Sequence, residues 1–235
     1  MRIRYIIAII ATILPLIIVA QDEKPNRISL NGGIKIGFHA ATYNSTIFNI
    51  DSYEYNDRII QSNKIGYAVA PFIRVNRKRL YLQTEAMLSI SRHYFEFIDN
   101  STEEAFASEA KENTPQYKLT TYCIQVPLLF GYKFVDSSPY CMSFFTGPKA
   151  KFLLTAHDKQ EFAHFKYNEM YEELTPTLYY WEFGLDISIS NICFDFVYDI
   201  GINNHTKGII APVEGKQFYS KRSDNILSFS IGIIF

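Results

Sequence analysis

From residue 28 onward, apolar and polar positions alternate with a period of two, the pattern of strands with two unlike faces. Between Ile28 and Ala40 the even positions read Ile, Leu, Gly, Ile, Ile, Phe, Ala, and the odd ones Ser, Asn, Gly, Lys, Gly, His. Seven further segments repeat the alternation: 64–75, 80–91, 121–134, 140–154, 179–189, 192–202 and 227–235. In the fourth, Tyr122, Ile124, Val126, Leu128, Phe130, Tyr132 and Phe134 alternate with Thr121, Cys123, Gln125, Pro127, Leu129, Gly131 and Lys133. A soluble strand usually has about 5–6 residues, whereas a tilted strand needs about 9–11 to cross a bilayer. These segments have the second length.

The connections fall into two classes. Asn76-Arg77-Lys78, Val135–Ser138 and Ser190-Asn191 are short, whereas 42–63, 96–117, 156–176 and 203–224 are long and polar. Long structureless loops are uncommon in compact soluble domains. Short turns at one end and long loops at the other, with an even strand number, mark an outer-membrane barrel. The sequence therefore predicts an all-β, eight-stranded, antiparallel, up-and-down transmembrane β-barrel with short periplasmic turns and long extracellular loops.

A soluble eight-stranded barrel with an apolar lumen is the opposite reading of the same pattern. The polar face decides between them. It carries Lys35, Arg74, Lys133, Lys149 and Lys151 against Glu85, Glu182, Asp186, Asp195 and Asp199. Eight strands leave an interior just wide enough for side chains to fill. Buried charges are costly unless paired, so these ten residues are expected to form a paired lumen network. The apolar face then meets lipid, with Tyr and Trp near its ends as interfacial girdles.

Composition fits this geometry. The chain has 235 residues, 48% apolar and 16% aromatic, yet it is 20% charged, with a mean hydropathy of −0.05. A polytopic helical membrane protein would need several runs of about 20 apolar residues, and a disordered chain would be far less apolar. The net charge of −1 gives no footprint for nucleic acid.

Residues 1–20 read as a targeting segment. Arg2 and Arg4 precede the apolar run Tyr5–Val19, and Ala20 precedes the polar Gln21-Asp22-Glu23-Lys24. That is the layout of a secretory signal peptide cut after Ala20; a single-span anchor is the alternative. Residues 21–27 form a short periplasmic tail, and 28–235 the barrel. Cleavage removes two of the 23 basic residues, leaving 21 against 24 acidic ones and a net charge of −3.

Several motifs resemble those of the PorT-like (porin-like) outer-membrane β-barrel proteins of Gram-negative bacteria. Tyr81–Glu85 resembles the acidic third-strand motif, and Tyr122–Phe134 the aromatic strand with its Pro-Leu-Leu core. Pro139-Tyr140 with Thr146-Gly147-Pro148, Glu182-Phe183-Gly184 and Asp195–Gly201 resemble the later motifs. Ser228–Phe235 looks like the closing strand, with Phe235 as the terminal aromatic read by the barrel-insertion machinery. The resemblance spans roughly 28–235. It implies an outer-membrane location after export through the periplasm, and in one branch of the family an accessory role in protein secretion.

Other chemistry finds weak support. His157 and His164, with Asp158 and Glu161 between them, lack the spacing of a zinc motif. They and His205 are expected as solvated loop residues, with His39 and His93 near strand ends. Ser91 and His93 share the inward face, but no nucleophile signature accompanies them. Cys123, Cys141 and Cys193 are all inward. Cys141 is expected opposite Tyr132, which separates it from Cys123, whereas Cys141 and Cys193 could meet across the lumen. The acidic loop 101–113 is expected on the surface.

No catalytic, metal or cofactor site is expected. The expected role is structural or loop-mediated binding at the cell surface, and the alternatives are a narrow passive channel and a secretion accessory. Expected partners are outer-membrane lipid, the insertion machinery and an unidentified surface or envelope protein.

Overall fold

The computed structural model describes residues 28–45, 49–50, 53–55, 65–99, 116–161, 171–211, 213, 215–218 and 222–235. The predicted signal peptide 1–20, the tail 21–27, the 101–113 loop and His164 lie outside the described residues. Among the described residues no helix is long and apolar enough to cross a membrane; the crossing is made by strands.

The long strands are β1 (Ser29–Ser45), β4 (Gly66–Arg77), β5 (Leu80–Glu85), β6 (Met87–Asp99), β7 (Gln116–Ser137), β8 (Tyr140–Glu161), β10 (Thr177–Ile189), β11 (Ile192–Gly201) and β14 (Arg222–Ile234). Short strands β2 (Asn49–Ile50), β3 (Tyr53–Tyr55), β9 (Tyr171–Leu174), β12 (Thr206–Ala211) and β13 (Lys216–Phe218) lie in the long connections. β5 and β6 act as one barrel strand. They part at Ala86, whose N–H donates to the Pro71 carbonyl; proline has no N–H to return the bond. Antiparallel pairing runs β1–β14–β11–β10–β8–β7–β5/β6–β4, and β4 pairs back onto β1. The ring is closed at eight strands.

The alternation places side chains as the period demands. On β7, Thr121, Cys123, Gln125 and Leu129 are buried, while Val126, Leu128, Phe130, Tyr132 and Phe134 are exposed. Outward positions from Tyr122 to Phe134 span 12 residues, which at about 3.3 Å per residue and a tilt of about 40° cover about 30 Å of height, enough for a hydrocarbon core. The exposed large hydrophobics around the ring, Ile36, Tyr67, Leu88, Phe144, Trp181, Phe196, Leu227 and Ile233 among them, belong to the same outward set.

The strands run further than the alternation indicates. β1 reaches Ser45, β6 Asp99, β7 begins at Gln116, β8 extends to Glu161 and β14 starts at Arg222. The polar loops therefore begin as ladders above the apolar band, where backbone pairing persists after the apolar signal stops. His157 is accordingly a residue of β8, not of a loop. A bulge between Lys133 and Val135 and a turn at Ser138-Pro139 place Cys141 opposite Asp136, with Tyr132 opposite Phe144. Cys123 lies opposite Leu153. Cys141 and Cys193 both pair with Ser188, one on each side, so two strand spacings of about 4.8 Å separate them, too far for a disulfide. All three cysteines are free.

Several inward glycines receive aromatic rings, Gly131 and Gly184 among them. A Cβ at Gly131 would stand 2.0 Å from the Tyr81 ring, and one at Gly184 would stand 2.2 Å from the Phe145 ring. Tyr81, Phe145 and Leu129 pack together with Val197 against them. Gly131→Ala is expected to destabilise the folded barrel by about 1–3 kcal/mol through overpacking, read as a lower urea midpoint for loss of heat-modifiable gel mobility. An unchanged midpoint would show that the ring yields freely.

Candidate functional site: the barrel interior

Each inward position of a strand faces the axis, so residues far apart in sequence meet across the lumen. Lys35 on β1 donates to Glu85 Oε1 on β5 (2.6 Å) and to Asp195 Oδ2 on β11. Gln83 Nε2 also donates to Glu85 Oε1 (2.6 Å), and Ser230 Oγ stands 3.5 Å from Asp195 Oδ2. One ammonium thus ties three strands on opposite sides of the ring. A second ammonium ties three adjacent strands: Lys149 on β8 pairs with Asp199 on β11 and, at 3.2 Å, with Glu182 on β10.

Arg74 on β4 forms the third centre. Its Nη2 bonds Asp186 Oδ2 and its Nε donates to Gln83 Oε1, both at 2.5 Å. Ser188 Oγ donates to Asp186 Oδ1 at 2.7 Å. The guanidinium lies 4.3 Å from the Tyr81 ring centre, within cation–π range, and Tyr81 Oη is bonded to Ser143 Oγ at 3.0 Å. Phe72 lies between this centre and the first, its ring centre 5.7 Å from the guanidinium and 4.8 Å from Lys35 Nζ.

Eight of the ten predicted lumen charges enter these three centres. Lys151 is buried but meets the Tyr180 ring, 5.9 Å from its centre. Lys133 is half-buried at the short-turn end and joins none of the three centres among the described residues. Sequence reasoning missed Asp224, which is 1% exposed and accepts from Tyr180 Oη at 2.8 Å. It lies beyond the last apolar residue of β14, but extending the parity of that strand would have found it. Among the described residues, the buried charges are then four cations, Lys35, Arg74, Lys149 and Lys151, and six acids, Glu85, Glu182, Asp186, Asp195, Asp199 and Asp224.

The remaining free space is small. Between the Lys35 and Lys149 centres lies a cavity of about 40 Å³ bordered by Glu85, Glu182, Asp195 and Asp199. At about 10–15 Å³ per water, it has room for about three. Asp195 Oδ1 and Asp199 Oδ1 are buried there without a hydrogen-bond partner among the described residues. A second cavity, about 10 Å³, is bordered by Thr121, Cys123, Lys151, Leu178 and His205.

Further structure stands at the long-loop end. β9, β12 and β13 form a small three-stranded sheet, and the Thr175 N–H donates to the His205 carbonyl at 2.9 Å. His205 is buried, with its ring 5.5 Å from that of His93. The expectation of a solvated His205 is therefore corrected: the segment before β12 turns inward over the lumen. Ser91 pairs with His39, its Oγ 2.8 Å from His39 Nε2, while His93 Nε2 lies 3.4 Å from Thr121 Oγ1. The Ser–His pair is real but joins a different histidine, and both residues are buried inside the barrel. The described residues hold no group of three or more His, Cys, Asp or Glu fit for a metal ion.

With this ring of strands in view, one comparison decides the family. The family described as "Outer membrane protein beta-barrel domain" matches residues 19–207. The chain belongs to that outer-membrane β-barrel family. No curated protein matches the sequence. Among solved structures the barrel is similar to Ail, the attachment invasion locus protein of Yersinia pestis solved with the heparin analogue sucrose octasulfate. That likeness has 10% identity, covers 88% of this chain and 99% of Ail, and has a TM-score of 0.40. The Neisserial surface protein A matches at 11% identity over 88% and 98% of the two chains, TM-score 0.35. The outer membrane protease OmpT of Escherichia coli matches at 13% over 92% and 99%, TM-score 0.42. The chain is an outer-membrane β-barrel protein.

Removing Lys35 leaves Glu85 and Asp195 buried without their cation. Lys35→Met is expected to cost about 3–5 kcal/mol of folding free energy, measured by reversible urea unfolding in lipid vesicles. Lys35→Met combined with Glu85→Gln and Asp195→Asn is expected to recover most of that loss, because the orphaned charges go with it. Equal losses for the single and triple variants would contradict the pairing.

Proposed function

We propose that this protein is a closed, non-conducting outer-membrane barrel that works as a structural or loop-mediated binding element of the cell surface and not as an enzyme. The observation that carries the reading is the interior: among the described residues, three ion-pair centres with aromatic rings packed against them border cavities of about 40 and 10 Å³. An ion with part of its hydration shell needs a continuous water path, and spaces of this size leave none. The Ser91–His39 pair is buried under the same packing, which keeps substrate from it. The long connections are then the surface left to meet another molecule, as loops on a rigid scaffold commonly do.

Within the family, the motifs Tyr81–Glu85, Tyr122–Phe134 and Ser228–Phe235 support a PorT-like membership. In that reading, residues 1–20 are the export signal and Phe235 serves the insertion machinery. Phe235 closes the ring beside the first strand, exchanging backbone hydrogen bonds with Gly32 at 2.8 and 3.1 Å, and its side chain is exposed. An unidentified surface or envelope protein is the partner class that fits the loops.

Planar-bilayer recording on the folded full chain tests the closed lumen. The expected result is a quiet baseline at voltages that open porins. Steady single-channel steps would replace this reading with the narrow passive channel.

A further inference from the structure

The apolar outer wall of β6, β7 and β8 stops abruptly toward the long loops. Outward positions on β6 run Leu88, Ile90 and then Arg92; on β7 they run Ile124, Tyr122, Thr120 and Lys118. On β8, Phe152 and Leu154 face out. A bulge beside Tyr122 and Cys123 then resets the parity, so that Ala156 pairs with the buried Thr121 and His157 and Lys159 point outward. Register places Arg92, Thr120 and His157 in one row across three adjacent strands. Tyr94, Lys118 and Lys159 form the next row.

Arg92, His157 and Lys159 are exposed and Lys118 is half-buried. The His157 ring lies edge-on to Tyr122, 5.8 Å between centres. With about 4.8 Å between strands and about 6.6 Å between rows, these basic groups share a patch of about 10 by 7 Å. One carboxylate lies among these groups: the exposed Asp158 falls between the two basic rows, opposite the inward Leu119, and register places Glu96 and Glu161 in the row that follows, opposite Gln116. On the other barrel strands, the outward positions at this end are uncharged among those described: Thr42 on β1, Ile65 just before β4 and Tyr67 on it, Tyr179 on β10, Ile200 on β11 and Ile202 just after it, and Asn225 and Leu227 on β14; the exposed Lys207 of β12 is paired with Glu173 at 3.5 Å. The basic rows belong to one wall.

We propose that this wall binds the phosphate-bearing headgroup of an anionic lipid of the outer leaflet, with the acyl chains lying along Ile90, Tyr122 and Leu154. The position selects the ligand. Immediately past the apolar band is the depth of lipid headgroups, and a phosphate there meets a guanidinium able to bind it bidentately. A soluble partner would meet the loop tips before it met this lipid-facing wall.

Native mass spectrometry of the detergent-folded full chain tests this, using a bis-phosphorylated glycolipid and its dephosphorylated counterpart as probes. The wild type is expected to retain the phosphorylated lipid selectively. The double variant Arg92→Gln/Lys159→Gln is expected to bind about 30-fold more weakly, and Thr42→Gln on a wall without this patch to bind as wild type. If the double variant shows no heat-modifiable folded band, Lys159→Gln alone is expected to weaken binding about fivefold. Undiminished binding by the folded variants, or equal retention of the dephosphorylated lipid, would overturn the proposal. Displacement of the lipid by millimolar inorganic phosphate would also overturn it, by assigning the patch to a free anion.

Discussion

Hydrocarbon offers a backbone no hydrogen bonds, so a β structure that crosses it must close on itself. Here β1 is flanked by β4 on one side and β14 on the other, and that closure dictates everything inside. An eight-stranded ring turns half of each strand toward a space that side chains alone can fill. Apolar residues on that face would make the strands two-sided and featureless, leaving register poorly specified. Charges there specify it, because a slip of one residue would carry Lys35, Glu85 and Asp195 into lipid.

Ion pairs in low dielectric do not guarantee stability, since desolvation offsets much of their attraction. Their role in this barrel is better seen as positional. Lys35 and Lys149 each bridge carboxylates from two other strands, and Arg74 joins β4 to β10 while its plane rests on Tyr81. The rings of Tyr81 and Phe145 reach into the vacant Cβ positions of Gly131 and Gly184, so the plug is packed as well as paired. The segment ahead of β12 then turns His205 inward beside His93.

Much of this was legible in the sequence, because period-two alternation and loop-length sorting are local signals. The inward or outward assignment of Lys35, Arg74, Glu85, Lys149, Glu182 and Asp195 follows from parity alone. What parity could not supply is which inward residues share a height, since that depends on tilt and on bulges. The tight turn at Ser138-Pro139, with the bulge near Phe134, puts Cys141 opposite Asp136 and not Tyr132. Polar strand ends also escaped, because Asp224, His157 and Lys159 sit where backbone pairing continues after the apolar signal has ended. His205 was misread for the opposite reason: a loop was taken to be solvated although this one folds back into the barrel.

Alternate residues face lipid and a side-chain-filled interior without a continuous water path, and β7 offers the most direct test. Spin labels placed one at a time from Tyr122 to Lys133, in a background with the other cysteines replaced, would be scored for collision with oxygen and with a water-soluble nickel complex. The account predicts high oxygen access at Tyr122, Ile124, Val126, Leu128, Phe130 and Tyr132, with low access to both reagents at the odd positions between them. High nickel access at Cys123, Gln125 and Leu129 would reveal a water-filled lumen and contradict it.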